Sequence, residues 1–232
     1  MQGLEELRIV IANDLNKNND NSFEPDDIVI GPGTKELMFL TQIAFNGDIL
    51  LPAPSWVSYH PQALIAKNKV YWIQTNSNTN WFPTAKTIED KIKNIQSKNL
   101  LLFLNSPNNP SGTICENLKE IASIAKKYKL IILSDEIYSK LTFDKKYSSI
   151  SNFYPEGTII STGLSKWCGA GGWRLGALIF PKELTYIKNI VRNIVSETFT
   201  SVSAPIQFAA VKAYSEDHSK YLFTSRLILE TI

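Results

Sequence analysis

Short, strongly apolar runs alternate with longer amphipathic stretches along the chain, and this alternation restricts its fold more than any other feature. Several of the short runs are apolar at nearly every position, which is typical of parallel strands covered by helices on both faces. Strands that alternate with helices predict βαβ units. We therefore expect an α/β fold with a mostly parallel central sheet and helices on both faces. The predicted strands are residues 48–52, 69–74, 100–105, 130–136, 157–162 and 174–180.

Apolar residues at three- and four-residue spacing predict the helices between these strands. The predicted helices are residues 34–45, 54–67, 84–96 and 115–128, with two more at residues 3–17 and 204–232. The first and last of these helices have almost no sequence outside them. We therefore expect the chain to be part of a longer protein.

Composition argues against several classes of function. The 232 residues carry a formal net charge of only +2 and no basic block, so no nucleic-acid partner is expected. No apolar run is as long as the roughly 18 residues of a membrane span, and the first residues do not resemble a signal peptide. Cys115 and Cys168 stand alone, without the spacing of a disulfide framework or a metal site, which favours a cytoplasmic protein without a metal.

Unusual residues follow three of the predicted strands, where an open parallel sheet binds its ligands. Asn109 lies in NSPNNPSGT, Asp135 begins DEIY, and Lys166 lies in GLSKW. Gly33, in GPGTKEL, precedes a helix whose free N–H groups favour an anion. Each has an ordinary structural explanation when taken alone: a turn residue, a helix cap or salt bridge, a surface lysine and a glycine turn.

The combination of these groups matches one ligand. Lys166 offers an amine for an aldehyde, and Asp135 offers a carboxylate for a ring nitrogen. Tyr138 and Asn109 offer donors for a phenolic oxygen, and Arg174 offers a planar fork for a phosphate. An aromatic face that could stack on a ring comes from the APSWVSY segment. These groups together predict pyridoxal 5′-phosphate (PLP) as the cofactor.

Five motifs resemble those of the class I and II aminotransferases, which are fold-type I PLP enzymes, and most closely their aspartate-aminotransferase-like branch. The motifs are GPGTKEL, LLPAPSWVSY, NSPNNPSGT, SDEIYSKL and GLSKWCGAGGWRLG. They occur in the order and spacing of the family, and the resemblance covers essentially the whole chain. The chain is therefore identified as a member of this family.

The resemblance implies a role for each residue near the cofactor ring. Lys166 matches the Schiff-base lysine, which also moves the proton from the substrate Cα. Asp135 matches the carboxylate that keeps the pyridine nitrogen protonated. Tyr138 and Asn109 match the pair that contacts the phenolic oxygen, and Trp56 matches the aromatic residue that stacks on the ring. Trp56 and Asn109 are also expected to face the substrate.

The resemblance places the phosphate beside Arg174 and the start of a helix formed by Gly33, Thr34 and Lys35. Family members often have a serine or threonine three residues before the lysine as a further phosphate ligand. This chain has glycine there, at position 163, and Ser165 directly before the lysine is the remaining hydroxyl candidate.

The resemblance implies transamination between an L-amino acid and a 2-oxo acid by a cytoplasmic homodimer. Residues 1–232 would form one PLP-binding large domain, without the N-terminal arm and the C-terminal small domain that supplies the arginine for the substrate carboxylate. The same motifs also occur in other PLP enzymes, such as C–S lyases, cyclopropane-carboxylate-synthase-like enzymes and decarboxylases. A truncated PLP-binding module without turnover is a further alternative, although no helix-turn-helix segment of an aminotransferase-like transcription factor is present.

Overall fold

The computed structural model describes residues 2–17, 21–143 and 147–231, and its centre is a seven-stranded sheet. The spatial order of the strands is β1-β7-β6-β5-β4-β2-β3. The strands are β1 Ile28–Gly31, β2 Asp48–Ala53, β3 Val70–Gln74, β4 Leu100–Asn105, β5 Ile131–Asp135, β6 Thr158–Gly163 and β7 Gly176–Ile179.

The five strands from β3 to β6 pair in parallel, and β7 is antiparallel to both β6 and β1. The predicted mostly parallel sheet is thus confirmed. A parallel return after β6 would need a long crossover, usually a helix. The segment 164–175 contains only a turn and a short 3₁₀ helix, so β7 returns antiparallel. The strand β1 was not predicted, because its apolar run is only three residues long.

Eight α-helices are present in the described part of the chain. They are α1 Glu5–Asn16, α2 Thr34–Ala44, α3 Tyr59–Ile65, α4 Ala85–Ile92, α5 Leu118–Tyr128, α6 Thr185–Glu197, α7 Ala204–Ser215 and α8 Ser219–Thr231. The amphipathic α6 was not predicted, although buried Ile187, Val191 and Val195 recur along it at helical spacing.

Helices cover both faces of the sheet, as predicted. Leu101 and Phe103 of β4 pack into one apolar core with residues of α2, α3 and α6. Leu100, Leu102 and Leu104 point to the other face and pack with α4 and α5. Helices α1 and α7 continue this second layer over β1, β6 and β7. Because both faces are buried, β4 and β5 are buried along their whole length.

The long helix predicted for residues 204–232 is two helices, and its last residue, Ile232, lies outside the described residues. Glu216 has extended backbone angles and ends α7. The Asp217 carboxylate accepts a hydrogen bond of 2.9 Å from the Ser219 N–H at the start of α8. An aspartate next to a free N–H offers the backbone an alternative to a continuous helix, so the chain turns here.

None of the helices in the described ranges has the length and apolar character needed to cross a bilayer.

Candidate active site

A cavity of about 490 Å³ opens at the carboxyl ends of β4 and β5 and at the start of α2. It is the edge at which the sequence predicts the ligand. Nine of the ten predicted site residues line it, and the tenth, Gly33, lies directly behind Arg174. The nine are Thr34, Lys35, Trp56, Asn109, Asp135, Tyr138, Ser165, Lys166 and Arg174.

Asp135 is the last residue of β5 and is only 3% exposed. Its Oδ2 accepts a hydrogen bond of 2.6 Å from the Tyr59 hydroxyl, and its Oδ1 lies 3.4 Å from the Ile137 N–H. Burial raises the pKa of the Asp135 carboxyl from 3.8 to about 6, while these hydrogen bonds and the charge of Lys166 pull the pKa down. The site therefore holds a poorly solvated carboxyl that gains from a cationic partner.

Tyr59 is a site residue that the sequence analysis missed. It is buried at the start of α3, between the ring of Trp56 at 5.3 Å and the ring of Phe103 at 4.6 Å. Burial, and then the negative charge of Asp135, raise the pKa of the Tyr59 hydroxyl well above its ordinary value, so it remains a proton donor to Asp135. The segment SWVSY contains it, but only the fold places its hydroxyl against Asp135.

Asn109 and Tyr138 come together from two different strand ends. The Asn109 Nδ2 lies 3.4 Å from the Tyr138 hydroxyl, and both side chains line the cavity. The Lys166 Nζ lies 5.4 Å from the centre of the Tyr138 ring. A hydroxyl, an amide and an amine thus face the same space, as the sequence predicts.

Lys166 lies on a tight turn after β6, in which the Gly169 N–H donates to the Lys166 carbonyl at 3.1 Å. The next residue, Trp167, is buried against the ring of Tyr214 at 5.5 Å. The Lys140 Nζ lies 4.5 Å from the centre of the Trp167 ring. The turn is therefore anchored from behind by Trp167 while Lys166 points to the cavity.

Glycines bring Arg174 against the start of α2. A side chain at Gly33 would overlap the Arg174 guanidinium, and a Cβ at Gly176 would lie 2.5 Å from the Thr34 nitrogen. The Arg174 Nη1 donates to the Gly171 carbonyl at 2.7 Å, and its Nη2 donates to the Pro32 carbonyl at 3.2 Å. Gly33 provides no side-chain cap for α2, so the first N–H groups of this helix remain available. These N–H groups and the Arg174 guanidinium lie together at the start of α2, which suits a phosphate.

Arg174 is not the start of a strand, as the predicted range 174–180 implied. Its φ angle of 54° is in the left-handed region, and β7 begins two residues later at Gly176. The side chain can therefore turn back over Gly33 instead of following the alternation of the strand.

The glycine at position 163 has a structural reason. A Cβ there would lie 2.8 Å from the Leu175 carbonyl oxygen and 3.0 Å from the Gly176 Cα on the neighbouring strand. The serine or threonine that is common at this place in the family does not fit this backbone. Ser165, the hydroxyl candidate that remains, does line the cavity.

Trp56 and Lys35 form the outer wall of the cavity. The Lys35 Nζ lies 5.2 Å from the centre of the Trp56 ring, which is a cation–π distance. The Lys35 carbonyl accepts a hydrogen bond of 2.9 Å from the Gln62 side chain, which ties α2 to α3. This wall gives the cavity one flat aromatic side.

The donor set fits PLP. The glycines at one end let the Arg174 guanidinium lie against the start of α2, which suits a phosphate; the buried Asp135 suits a pyridinium nitrogen, and Lys166 suits an aldehyde. No group of three or more His, Cys, Asp or Glu side chains that could hold a metal ion occurs in residues 2–17, 21–143 and 147–231.

Comparison with known proteins gives the same family. The model of the family "Aminotransferase class I and II" matches residues 1–231. An aspartate aminotransferase of Bacillus sp. strain YM-2 is 32% identical over 99% of this chain and 60% of its own length. An aromatic-amino-acid aminotransferase of Thermococcus litoralis is 32% identical over 94% of this chain and 57% of its own length.

Solved structures agree with the sequence relatives. An alanine aminotransferase from Pyrococcus furiosus superposes with a TM-score of 0.90 at 28% identity, covering 99% of this chain and 60% of that one. The aspartate aminotransferase of Thermus thermophilus superposes with a TM-score of 0.88 at 27% identity, covering 97% of this chain and 59% of that one. The chain thus spans about 60% of the length of such relatives. It belongs to the class I and II aminotransferases, a family of PLP-dependent enzymes.

Proposed function

We propose that the protein to which this chain belongs transfers the amino group of an L-amino acid to a 2-oxo acid, with PLP bound to Lys166. One observation carries the proposal: Lys166, Asp135 and the Asn109–Tyr138 pair line the same cavity as Arg174 and the start of α2. An amine, a buried carboxyl and a phosphate site are the groups that PLP needs from a protein. Relatives named for aspartate, aromatic and alanine substrates support transamination without selecting one amino acid.

When bound, PLP supplies an aldehyde that takes the amino group and a pyridinium ring that accepts the electrons of the Cα–H bond. In the proposal, Asp135 holds a proton on the ring nitrogen, helped by the hydrogen bond from Tyr59. Asn109 and Tyr138 donate to the phenolic oxygen. Lys166 holds the cofactor before the substrate arrives, and its Nζ then takes the proton from the substrate Cα.

The phosphate end fixes the position of the ring. Arg174 and the N–H groups of Thr34 and Lys35 would bind the phosphate. Gly33 has no side chain, which allows the Arg174 guanidinium to lie against the start of α2. Ser165 would add a hydroxyl near the same end. Trp56 would cover one face of the ring and limit the entry of water.

We also propose a domain organisation, an oligomeric state and a location. Residues 1–232 would form the PLP-binding large domain, and residues of a small domain would complete the substrate-binding site. We propose a homodimer, which is supported by exposed apolar side chains on α3 and just before it, such as Ile65 at 69% and Val57 at 80% exposure. A cytoplasmic location is supported by two free cysteines, Cys115 and Cys168.

The first experiment tests attachment of the cofactor. The purified protein is incubated with PLP, reduced with borohydride, digested and analysed by mass spectrometry. We expect the added mass on the peptide that contains Lys166, and its loss in Lys166→Ala. The exposed Lys182 supplies the matched control, because Lys182→Ala should label like the wild type. Labelling spread over surface lysines, or unchanged in Lys166→Ala, would contradict the proposal.

The second experiment tests the reaction class. The PLP-loaded protein is mixed with single L-amino acids in the absence of a 2-oxo acid. A transaminase releases one equivalent of the matching 2-oxo acid and no ammonia, because the amino group stays on the cofactor. Release of ammonia over many turnovers would indicate a lyase instead. If no amino acid gives a product, the chain is better described as a PLP-binding module without turnover.

A further inference from the structure

Asn105 is a buried side chain that bonds to two residues of the cofactor cavity at once. It is the last residue of β4, is 5% exposed, and lies beside Asp135 in the parallel register of β4 and β5. Its Nδ2 donates to the Asp135 carbonyl at 2.9 Å, and its Oδ1 accepts from the Asn109 N–H at 2.7 Å. One amide group thus joins the end of β5 to the loop after β4.

The two residues that Asn105 joins are those proposed to contact two different positions of the ring, the nitrogen and the phenolic oxygen. Asp135 offers the carboxylate for the ring nitrogen, and Asn109 offers the amide for the phenolic oxygen. Asn109 in turn lies 3.4 Å from the Tyr138 hydroxyl. A shift of the Asn105 side chain would therefore change the distance between the Asp135 carboxylate and the Asn109 amide.

The chemistry of the position requires an amide. The Asp135 carbonyl needs a donor and the Asn109 N–H needs an acceptor, and asparagine supplies both from a single short side chain. Leucine has a similar size but leaves both backbone groups with fewer partners in a buried place, which is costly. Aspartate keeps the acceptor, loses the donor and adds a charge close to Asp135.

We propose that Asn105 is a positioning residue that fixes the spacing between the Asp135 carboxylate and the Asn109 amide, and so sets the electronic state of PLP bound to Lys166. The proposal rests on the proposed function. Asn105 also lines the cavity, but it would act through Asp135 and Asn109, since its oxygen and one of its N–H groups are engaged with their backbones.

Asn108 offers a matched control in the same loop. It is also buried, and its Oδ1 accepts from the Ser111 N–H at 3.1 Å and the Ser111 hydroxyl at 2.9 Å. Its Nδ2 lies 3.4 Å from the Asn105 main-chain carbonyl, and in the described part of the chain it has no hydrogen bond to Asp135 or Asn109. Asn108→Asp adds the same charge three residues further along, keeps the acceptor for Ser111, and leaves both side-chain hydrogen bonds of Asn105 in place.

The test compares Asn105→Asp, Asn105→Leu and Asn108→Asp in the PLP-loaded protein, by cofactor affinity and by the pH titration of cofactor absorbance. For Asn105→Asp, which loses one hydrogen bond, we expect the dissociation constant to rise about tenfold, which corresponds to about 1.4 kcal/mol; Asn105→Leu, which loses both, should raise it at least as much. We also expect the pH midpoint of the absorbance of the Lys166-linked cofactor to rise by about one unit, because a donor at the phenolic oxygen and a proton held on the ring nitrogen by Asp135 both lower it. Asn108→Asp should leave the midpoint unchanged.

A third measurement does not need the cofactor. In the cofactor-free protein, amide hydrogen exchange at Asn109 should be faster in Asn105→Leu than in the wild type, and unchanged in Asn108→Asp. If the wild type binds PLP at Lys166 but the Asn105 and Asn108 variants have the same midpoint, the positioning role is refuted and the proposed function stands. If the wild type does not attach PLP at Lys166, both proposals fall.

Discussion

Replacing Asp135 by asparagine is expected to stabilise the cofactor-free protein at neutral pH, although it removes a residue proposed for function. Asp135 is 3% exposed at the end of an apolar strand, and burial raises its pKa from 3.8 to about 6. At neutral pH the carboxylate is therefore charged in a place that favours the neutral form. Asparagine keeps the shape and an acceptor for the Tyr59 hydroxyl without the charge.

The magnitude follows from the change in pKa. A rise from 3.8 to about 6 corresponds to about 3 kcal/mol, since one pKa unit is worth about 1.36 kcal/mol. The folded protein holds the proton more tightly than the unfolded chain. The unfolding free energy therefore carries no penalty from Asp135 below pH 3.8, and the penalty grows until the pH passes about 6.

The assay is urea unfolding of the cofactor-free wild type and Asp135→Asn at a series of pH values, followed by tryptophan fluorescence. We expect the variant to be more stable by up to about 3 kcal/mol at pH 7, with the difference shrinking as the pH falls toward 4. Glu136 is also buried, and burial is the main cause of its raised pKa in both proteins; only the smaller part that comes from the charge of Asp135 is lost in the variant. Asp90, which is exposed on α4, supplies the control, because Asp90→Asn should be no more stable than the wild type at pH 7.

Equal or lower stability of Asp135→Asn than of the wild type at pH 7 would contradict this prediction. A stability difference that stayed constant from pH 4 to pH 7 would refute it as well, since it could not come from titration of this carboxyl. The variant should also bind PLP more weakly than the wild type, which separates the stability effect from function.

Two further predictions concern the residues around this carboxyl and the phosphate end. Tyr59→Phe removes the 2.6 Å hydrogen bond to Asp135, so the pKa of Asp135 should rise above about 6. PLP titrations should then show weaker binding of the cofactor at pH 7. An unchanged PLP affinity would contradict this prediction. Gly176→Ala places a Cβ 2.5 Å from the Thr34 nitrogen. Calorimetry should therefore show a lower melting temperature, and PLP titrations should show a lower affinity. Gly172 has open space around it, so Gly172→Ala should leave the melting temperature and the PLP affinity unchanged. Equal behaviour of the two glycine variants would show that the start of α2 adapts to the added methyl group.

The central strands and the residues at their ends could be predicted from the sequence, because local pattern determines both. Apolar runs indicate β4 and β5, and an aspartate or asparagine at the end of such a run must lie at the carboxyl edge of the sheet. The direction of β7 depends on the connection before it, and β1 exists only by pairing with β7. Such tertiary pairing leaves little signal in a four-residue strand.

Tyr59 and Asn105 could not be predicted, for a different physical reason. Each bonds to a residue far along the chain: the Tyr59 hydroxyl donates to the Asp135 carboxylate, and the Asn105 Nδ2 donates to the Asp135 main-chain carbonyl. A tyrosine in a helix and an asparagine before a turn have common local explanations. Only the fold shows that both side chains bond to the same residue of the site.

The burial of Asp135 connects stability with the choice of cofactor. The parallel sheet places this carboxyl where water hardly reaches, and in the cofactor-free protein this costs stability. A cationic ring nitrogen beside the same carboxylate would be attracted strongly, because the poor solvation that raises the pKa also leaves the attraction little screened. The feature that destabilises the cofactor-free fold would therefore favour a protonated pyridine over a neutral ring of the same size. PLP binding should consequently stabilise the fold most above about pH 6, where the carboxylate is otherwise charged and unpaired with a cation.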